Sequence, residues 1–360
     1  MAHSLSPSRE TAFTLLELLA SMAVLIFLVL FVVQLMTNVS SVTNTSRDRL
    51  DSDDHARMMM DRLGLDIAQM VQRGDVDYFF EKPTSGNDRM FFYAETAGYS
   101  TSGTSNRSDL SLIGYRVNAN TGSDRYNKLE RYAGARQWDG DGTAGMAFLT
   151  YTGSTGSCAP LSSTVLSANS VISSTSTDTS YHVLGANIFR IEFCYQLTDG
   201  TYSTEPILYT PPSTWSNGTF YYATTNPPSS SNGAPTYSVG SRWYDTNANR
   251  GYICQSTTSD TSSLAVWRSI GWEDVSAVVV TIATLDTTNR TRISSMGKDL
   301  GNAVLALPKV QKTDLQGTAP TLPAQQWLKK IEDGELATVM PQKAASAVRV
   351  YQRYFYLHSQ

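Results

Sequence analysis

The sequence predicts an α+β protein: a long N-terminal α-helix, membrane-spanning in its first half, packed on a β-rich head with inserted loops. Three patterns predict this fold class. An apolar run covers residues 13–36, an amphipathic stretch follows it, and short strand-like runs separated by turns fill the chain from residue 78 onward. Long apolar runs are typical of membrane helices, and short runs of period two are typical of strands.

The apolar run reads FTLLELLASMAVLIFLVLFVVQLM, and only Glu17 and Gln34 are strongly polar within it. As a helix it would span about 36 Å, which covers a hydrocarbon core of about 30 Å. We therefore expect residues 13–36 to form a membrane-spanning helix.

Two ordinary interpretations of this run stay open. A secretory signal peptide has an apolar core of about 7–15 residues with an A-x-A-like cleavage site just after it, whereas this run is longer and is followed by TNVSSVTNTS. A plain transmembrane anchor fits the length. It leaves Glu17 unexplained, because a carboxylate inside a membrane helix is costly and normally has a partner or a function.

A short motif at the start of the run accounts for Glu17. Residues 12–17, AFTLLE, resemble the cleavage and methylation signal of type IV pilins and type II secretion pseudopilins. The resemblance implies that prepilin peptidase removes the leader 1–12, cutting between Ala12 and Phe13, and that the new Phe13 amine is methylated. Glu17 would be the fifth mature residue. Its carboxylate would neutralise the Phe13 ammonium of a neighbouring subunit and set the register between subunits.

One residue departs from the family pattern, because Ala12 stands where these proteins usually have Gly. The head also resembles this family, because its predicted strand order is similar to that of J-type minor pseudopilins. The C-terminal AVRVYQRYFYLHS also resembles the Verru_Chthon cassette protein C family.

The resemblance implies a structural role as a minor pilin-like subunit of a secretion or pilus-like filament. Such a subunit lies in the inner membrane as a single-pass protein, with its head on the periplasmic side. The implied partners are prepilin peptidase, other pilin-like subunits, the inner-membrane assembly platform and membrane lipid. A bulky head with inserted loops favours a minor subunit, since a major subunit must stack many copies.

A function of another class stays open: a single-pass, adhesin-like surface-binding protein that never enters a filament. The net charge of −4 gives no basic surplus, so no nucleic-acid partner is predicted. The sequence has no HExxH, GxSxG or Walker-type loop, and no catalytic residue is assigned.

The residues after the apolar run predict a continuation of the same helix. No proline occurs between residues 13 and 73, and Gly74 supplies a stop signal. Apolar residues recur there at spacings of three and four: Met60, Leu63, Ile67 and Met70. We expect one helix over 13–73, in which 37–74 is amphipathic and packs on the head.

Six strands are predicted within the head, residues 75–360, from runs rich in β-branched and aromatic residues. They cover 90–95, 110–117, 128–133, 188–197, 275–285 and 347–357. The second and third strands form a hairpin. Asp199-Gly200 is the predicted turn of another hairpin, which begins with the fourth strand. Residues 211–272 are interpreted as an insertion whose W-Y-D-T-N motif introduces a hairpin. A short helix is expected over 323–334, with Gly334 at its end.

The cysteine count leaves two alternatives. Three cysteines cannot all pair within one chain, and none belongs to a CxxC motif. In an exported head, Cys158 and Cys194 could form one disulfide. The alternative is three buried or free thiols, since spacing alone fixes no connectivity.

One acidic turn is the candidate metal site. In W-D-G-D-G-T, the carboxylates of Asp139 and Asp141 suit a hard cation such as calcium. Ala144 and Thr150 stand where an EF-hand loop needs Gly and Glu. A plain turn is therefore the alternative, and no cofactor is assigned.

Overall fold

The computed structural model describes residues 14–72, 78–99, 107–136, 181–206, 220–223, 242–245, 250–257, 265–269, 272–315 and 319–357. Five α-helices lie within these ranges: α1 (Leu15–Ala68), α2 (Thr287–Ser295), α3 (Leu300–Ala306), α4 (Pro323–Glu332) and α5 (Gln342–Ala345).

The described strands run from β1 to β15. They are β1 (Tyr78–Glu81), β2 (Arg89–Ala94), β3 (Gly98–Tyr99), β4 (Arg107–Ser108), β5 (Leu110–Val117), β6 (Leu129–Arg136), β7 (Tyr181–Gly185), β8 (Ile188–Leu197), β9 (Tyr202–Ser203), β10 (Phe220–Ala223), β11 (Arg242–Asp245), β12 (Arg250–Thr257), β13 (Ala265–Ser269), β14 (Val275–Thr284) and β15 (Arg349–Tyr356).

These strands form three larger sheets and one two-stranded ribbon. The first sheet has the order β1-β2-β5-β6-β7, the second β15-β14-β8-β9 and the third β10-β11-β12-β13, while β3 pairs with β4. The described pairings are antiparallel apart from β10 with β11. A long apolar helix followed by antiparallel sheets confirms the predicted α+β class.

The predicted strands are confirmed within three residues at their ends. The hairpin of β5 and β6 has Leu110 opposite Arg136, and Gly200 takes the left-handed φ of 83° in the turn between β8 and β9. The short helix near the C-terminus is α4, and Gly334 follows it with a φ of 74°. Sequence patterns missed β1, β7 and α2, which are short and lack a clear period.

The insertion contains a sheet of its own. The W-Y-D-T-N motif does introduce a hairpin, because β11 pairs antiparallel with β12 and places Trp243 opposite Tyr252. Sequence reasoning did not find the parallel pairing of β10 with β11. The Ser/Thr-rich stretch 151–181 is predicted from its composition to be a long loop; its last residue, Tyr181, instead begins β7, and 151–180 lie outside the described residues.

Helix α1 ends earlier than predicted. The expected helix reaches residue 73, whereas α1 ends at Ala68. The next residues pair with the end of β2 instead: Met70 forms a bridge with Ala94, and the Val71 N–H donates to the Tyr93 carbonyl at 2.9 Å. The backbone groups that another helical turn would use are therefore hydrogen-bonded to the first sheet.

The chain divides into two compact units, Met1–Asp51 and Ser52–Gln360. Within the second unit, the predicted apolar stripe is buried at all four residues, of which Met60, Leu63 and Ile67 lie on α1 and Met70 lies just beyond its end. It shares one core with residues of the first sheet, such as Phe92, and of the second sheet, such as Val280. Burial of this stripe stabilises the unit in proportion to the apolar area removed from water.

A buried carboxylate adds direction to this packing. Asp66 of α1 is 1% exposed. Its carboxylate accepts two hydrogen bonds from the Arg131 guanidinium, from Nε at 2.6 Å and from Nη2 at 2.9 Å. The Tyr115 hydroxyl also donates to it. Burial and the Asp66 carboxylate raise the pKa of Tyr115 well above its ordinary value. These bonds fix the helix against β5 and β6.

Contacts to the second sheet hold the other side of the helix. The Ser52 hydroxyl donates to Thr284 at 3.0 Å, and the Tyr351 hydroxyl donates to Asp53. Gly64 lies so close to β15 that an added Cβ would stand 2.9 Å from the Phe355 ring. The helix therefore needs a glycine at this crossing.

The other face of the second sheet is covered by the C-terminal helices. Phe189 of β8 and Ala283 of β14 pack with Trp327 of α4 and Ile293 of α2 in a second core. The Trp327 indole N–H donates to the Pro308 carbonyl at 2.8 Å. The second sheet is thus buried on both faces.

We expect Asp66→Asn to lower the free energy of unfolding by about 3 kcal/mol, because the partly buried Arg131 charge would lose its buried countercharge. Denaturant unfolding of the detergent-solubilised chain measures the difference. Asp54→Asn is the matched control, since Asp54 is exposed on the same helix and the change should stay within about 0.5 kcal/mol. Equal effects of the two variants would contradict the assigned role of Asp66.

Candidate functional site

The first compact unit is formed by the N-terminal part of α1. Leu15–Ser40 has a mean hydropathy of 2.8 and is long and apolar enough to cross a membrane. None of its most apolar window is buried by the residues that the structure describes, and the large apolar side chains along it are 42% to 81% exposed. A helix with these properties serves as a membrane anchor or as a signal sequence.

Glu17 lies in the first turn of this helix and forms a capping box with Thr14. Its Oε2 accepts from the Thr14 N–H at 3.0 Å and from the Thr14 hydroxyl at 3.1 Å, and the Glu17 N–H donates to Thr14 Oγ1 at 3.4 Å. A carboxylate near a helix N-terminus is also stabilised by the helix dipole. The carboxylate thus has local partners before any other chain approaches it.

Both bonds received by this carboxylate reach Oε2. Within the described part of the chain, Oε1 accepts no hydrogen bond, so a cation can bind there without breaking the cap. Sequence reasoning singled out Glu17 but missed Thr14. The T-x-x-E spacing of residues 14–17 was the available signal, because this spacing is typical of capping boxes.

Most other predicted site residues lie outside the described residues. These are Ala12 and Phe13 of the cleavage motif, Asp139 and Asp141 of the acidic turn, and Cys158 of the disulfide. The described residues contain no group of three or more His, Cys, Asp or Glu side chains that could hold a metal ion. The cleavage, calcium and disulfide assignments stay predictions.

Cys194 is the one cysteine of the predicted pair that the structure places. It lies in β8, is fully buried, and packs with Val279, Val310 and Leu322. Burial raises the pKa of its thiol to about 12. The thiolate needed for rapid disulfide exchange is therefore disfavoured at neutral pH.

A cluster of buried charges, which sequence reasoning missed, lies on the face of the second sheet opposite α1. Lys82 contacts Glu192 at 2.6 Å and Asp88 at 3.3 Å. Arg190 contacts Glu192 at 3.2 Å, and Lys309 contacts Asp88. The carboxylates also accept backbone N–H groups, from Phe193 and Val310. Charged residues inside the apolar run IFRIEFCYQL of β8 were the signal in the sequence.

This charged cluster contains three basic side chains against two carboxylates, so one basic group lacks a countercharge. Burial and the neighbouring Lys82 ammonium lower the pKa of Lys309 to about 6. With Lys309 neutral, two cations face two anions, and its amine still donates to Asp88. The cluster joins the β1–β2 connection, β8 and the segment before α4 as a set of paired charges.

We predict that Lys309→Met removes part of the pH dependence of stability. Between pH 6 and about 10.5 the unfolded chain binds one more proton at Lys309 than the folded chain does, so this residue makes the free energy of unfolding rise with pH. Denaturant unfolding between about pH 6.5 and 8.5 should show a slope smaller by about 1.4 kcal/mol per pH unit in the variant. Parallel profiles for the two proteins would contradict the assignment.

Comparison with protein-family models, with curated proteins and with solved structures finds no match to this chain. The pilin-like resemblance therefore depends on the sequence motif and on the architecture. A long apolar N-terminal helix followed by antiparallel β-sheets is consistent with a pilin-like protein.

Proposed function

We propose that this chain is a structural, pilin-like minor subunit of a secretion or pilus-like filament. In this role prepilin peptidase removes the leader before Phe13. Before assembly, the helix spans the inner membrane with the head on the periplasmic side. It then leaves the bilayer to pack among the helices of neighbouring subunits. The assembly platform and other pilin-like subunits are the partners of that step.

The observation that carries this proposal is the exposed apolar helix with a single carboxylate in its first turn. No described part of the chain covers the apolar side chains of Leu15–Ser40. They need either lipid or the helices of other subunits, because so much apolar surface is not tolerated in water. A plain anchor has no use for Glu17, whereas a filament does.

Glu17 supports the proposal through the oxygen that its cap leaves unused. Cleavage before Phe13 would create an ammonium in an apolar setting, where an unpaired charge is costly. Oε1 of Glu17 can pair with the ammonium of a neighbouring subunit while Oε2 keeps its bonds to Thr14. Pairing of this kind would set the axial register of the helices.

A second candidate function is favoured by the sheet β10–β13, which lies in the insertion and, among the described strands, shares none with the other sheets. A membrane-anchored adhesin-like protein would use such a module to contact a surface without entering a filament. The two functions differ in their need for the Glu17 charge.

We expect Glu17→Gln to be cleaved normally but to enter filaments at least tenfold less than wild type. Glutamine can keep the capping box but carries no charge to pair with the Phe13 ammonium. The measurement is cross-linking of the chain into the sheared or periplasmic filament fraction of its native host.

Thr14→Ala is the matched control for this experiment, because it removes the two hydroxyl bonds of the cap and keeps the Glu17 charge. Near-normal incorporation of Thr14→Ala, with loss for Glu17→Gln, supports intermolecular pairing. Equal losses for both variants would assign Glu17 to capping alone, and normal incorporation of Glu17→Gln would refute the pairing.

A further inference from the structure

The charged cluster around Asp88 and Glu192 contains one amine in excess of its charge pairs. This amine belongs to Lys309, which contacts Asp88, and the two side chains are 3% and 0% exposed. Lys309 lies in the segment between α3 and α4, whereas Asp88 lies in the β1–β2 connection, 221 positions away in sequence. Folding therefore brings a primary amine and a carboxyl group into contact at a site from which water is largely excluded.

The surroundings of the Lys309 amine favour its nucleophilic form. Burial and the nearby Lys82 ammonium lower the pKa of Lys309 to about 6. The Lys309 ammonium therefore releases a proton readily, and the neutral amine has the lone pair that a nucleophile needs. Lys82 has different surroundings, because its ammonium contacts Glu192 at 2.6 Å and Asp88 at 3.3 Å. Lys309 is thus the reactive amine of the cluster.

The Asp88 carboxyl group is polarised through one of its two oxygens. Asp88 Oδ2 accepts from the Phe193 N–H at 2.8 Å and contacts the Lys82 ammonium at 3.3 Å. Lys309 contacts the other oxygen, Oδ1. Donors fixed around one oxygen stabilise the negative charge that develops there when a nucleophile attacks the carbon. The Phe193 N–H and the Lys82 ammonium therefore form an oxyanion hole for Asp88, and Oδ1 is placed as the leaving group.

Glu192 is held in a different way and has a positioning role. Its Oε1 accepts from the Lys82 ammonium at 2.6 Å and from the Val310 N–H at 2.9 Å, and its Oε2 accepts from Arg190 at 3.2 Å. Both oxygens are thus bound to cationic side chains, which keep this carboxylate ionised and a poor electrophile. Glu192 holds Lys82 beside Asp88.

We propose that Lys309 and Asp88 become joined by an intramolecular amide bond, with loss of one water molecule. One proton moves from the Lys309 ammonium to Asp88 Oδ1, which gives a neutral amine and a carboxylic acid. Nζ then attacks Cγ and forms the C–N bond, while Oδ2 carries the negative charge. Oδ1 takes a second proton from Nζ, the C–Oδ1 bond breaks, and water departs. The reaction needs no oxidant and no other reactant.

Two properties of the site favour this reaction. Reactants held in the right geometry can behave as if their concentration were about 10⁵–10⁸ M. Burial also keeps away the water that would hydrolyse the product. The new bond would restrict the unfolded chain as a disulfide does, because it links residues 221 positions apart. It is independent of the filament role, since it involves neither Glu17 nor the apolar helix.

The test is mass spectrometry of a tryptic digest of the full chain, extracted from membranes of its native host. Trypsin does not cut at Lys82, because Pro83 follows it, and it does not cut at a linked Lys309. We expect a branched peptide that joins residues 74–89 to residues 299–312 and weighs one water less than their sum. Two separate peptides, or a branch between another pair of residues, would overturn the proposal.

Two variants locate the bond in the intact chain. Lys309→Arg keeps a cation beside Asp88 but stays protonated, so its mass should correspond to a chain that has lost no water. Lys330→Met is the control, because Lys330 contacts Glu335 at 2.6 Å on the surface, where water prevents condensation, and the branched peptide should persist. Water loss that persists in Lys309→Arg would refute the proposal.

The amide bond also changes how Lys309 titrates. An amide nitrogen does not bind protons near neutral pH, so the pH dependence of stability expected from Lys309 belongs to the chain before this bond forms. The mass of each sample identifies which of the two states an unfolding profile describes.

Discussion

The pairing of Asp66 with Arg131 and Tyr115 is the interaction on which the packing of the second unit depends. The apolar stripe of α1 drives burial, but hydrophobic contact has no direction of its own. A buried carboxylate does have direction, because a shift of α1 by one turn would leave both Asp66 and Arg131 without their partners. The close crossing of Gly64 and Phe355 selects the same register. The charge pair and the glycine therefore select one register of the helix against the two sheets.

The two compact units differ in the surroundings of their charged side chains. The second unit buries several charged groups and pairs them, as the cluster around Asp88 and Glu192 shows. The first unit presents apolar side chains outward along Leu15–Ser40, where Glu17 is the one carboxylate and is partly satisfied by its own first turn. Such a helix gains stability only from lipid or from other helices. A filament subunit needs this combination, since its helix must exchange one apolar environment for another.

Much of the fold could be predicted because the patterns were long and regular. The apolar run, the stripe around Leu63 and the strands β5 and β8 each follow one period over many residues, so local sequence suffices. The end of α1 could not be predicted, because Met70 and Val71 join the first sheet through partners more than twenty residues away. The charge pairs of Asp66 and Lys309 depend on tertiary contacts in the same way.

In the candidate site, too, only the features with a local signal in the sequence could be predicted. Glu17 was found from sequence because its charge interrupts an apolar run, and Thr14 could have been found from the T-x-x-E spacing. The charged cluster of Asp88 and Glu192 gave only a partial signal in β8, since Lys82 and Lys309 come from segments distant in sequence. A capping box can be predicted from sequence spacing, whereas contacts between distant segments exist only after folding.

Mass spectrometry of the mature N-terminus tests the central claim most directly, on protein extracted from membranes of the native host. The account predicts that the chain begins at Phe13 and that this residue carries an N-methyl group. A chain that retains Met1 would be a plain anchor, and one that begins near Ser41 or beyond would be a secreted protein. Either result would contradict the filament role.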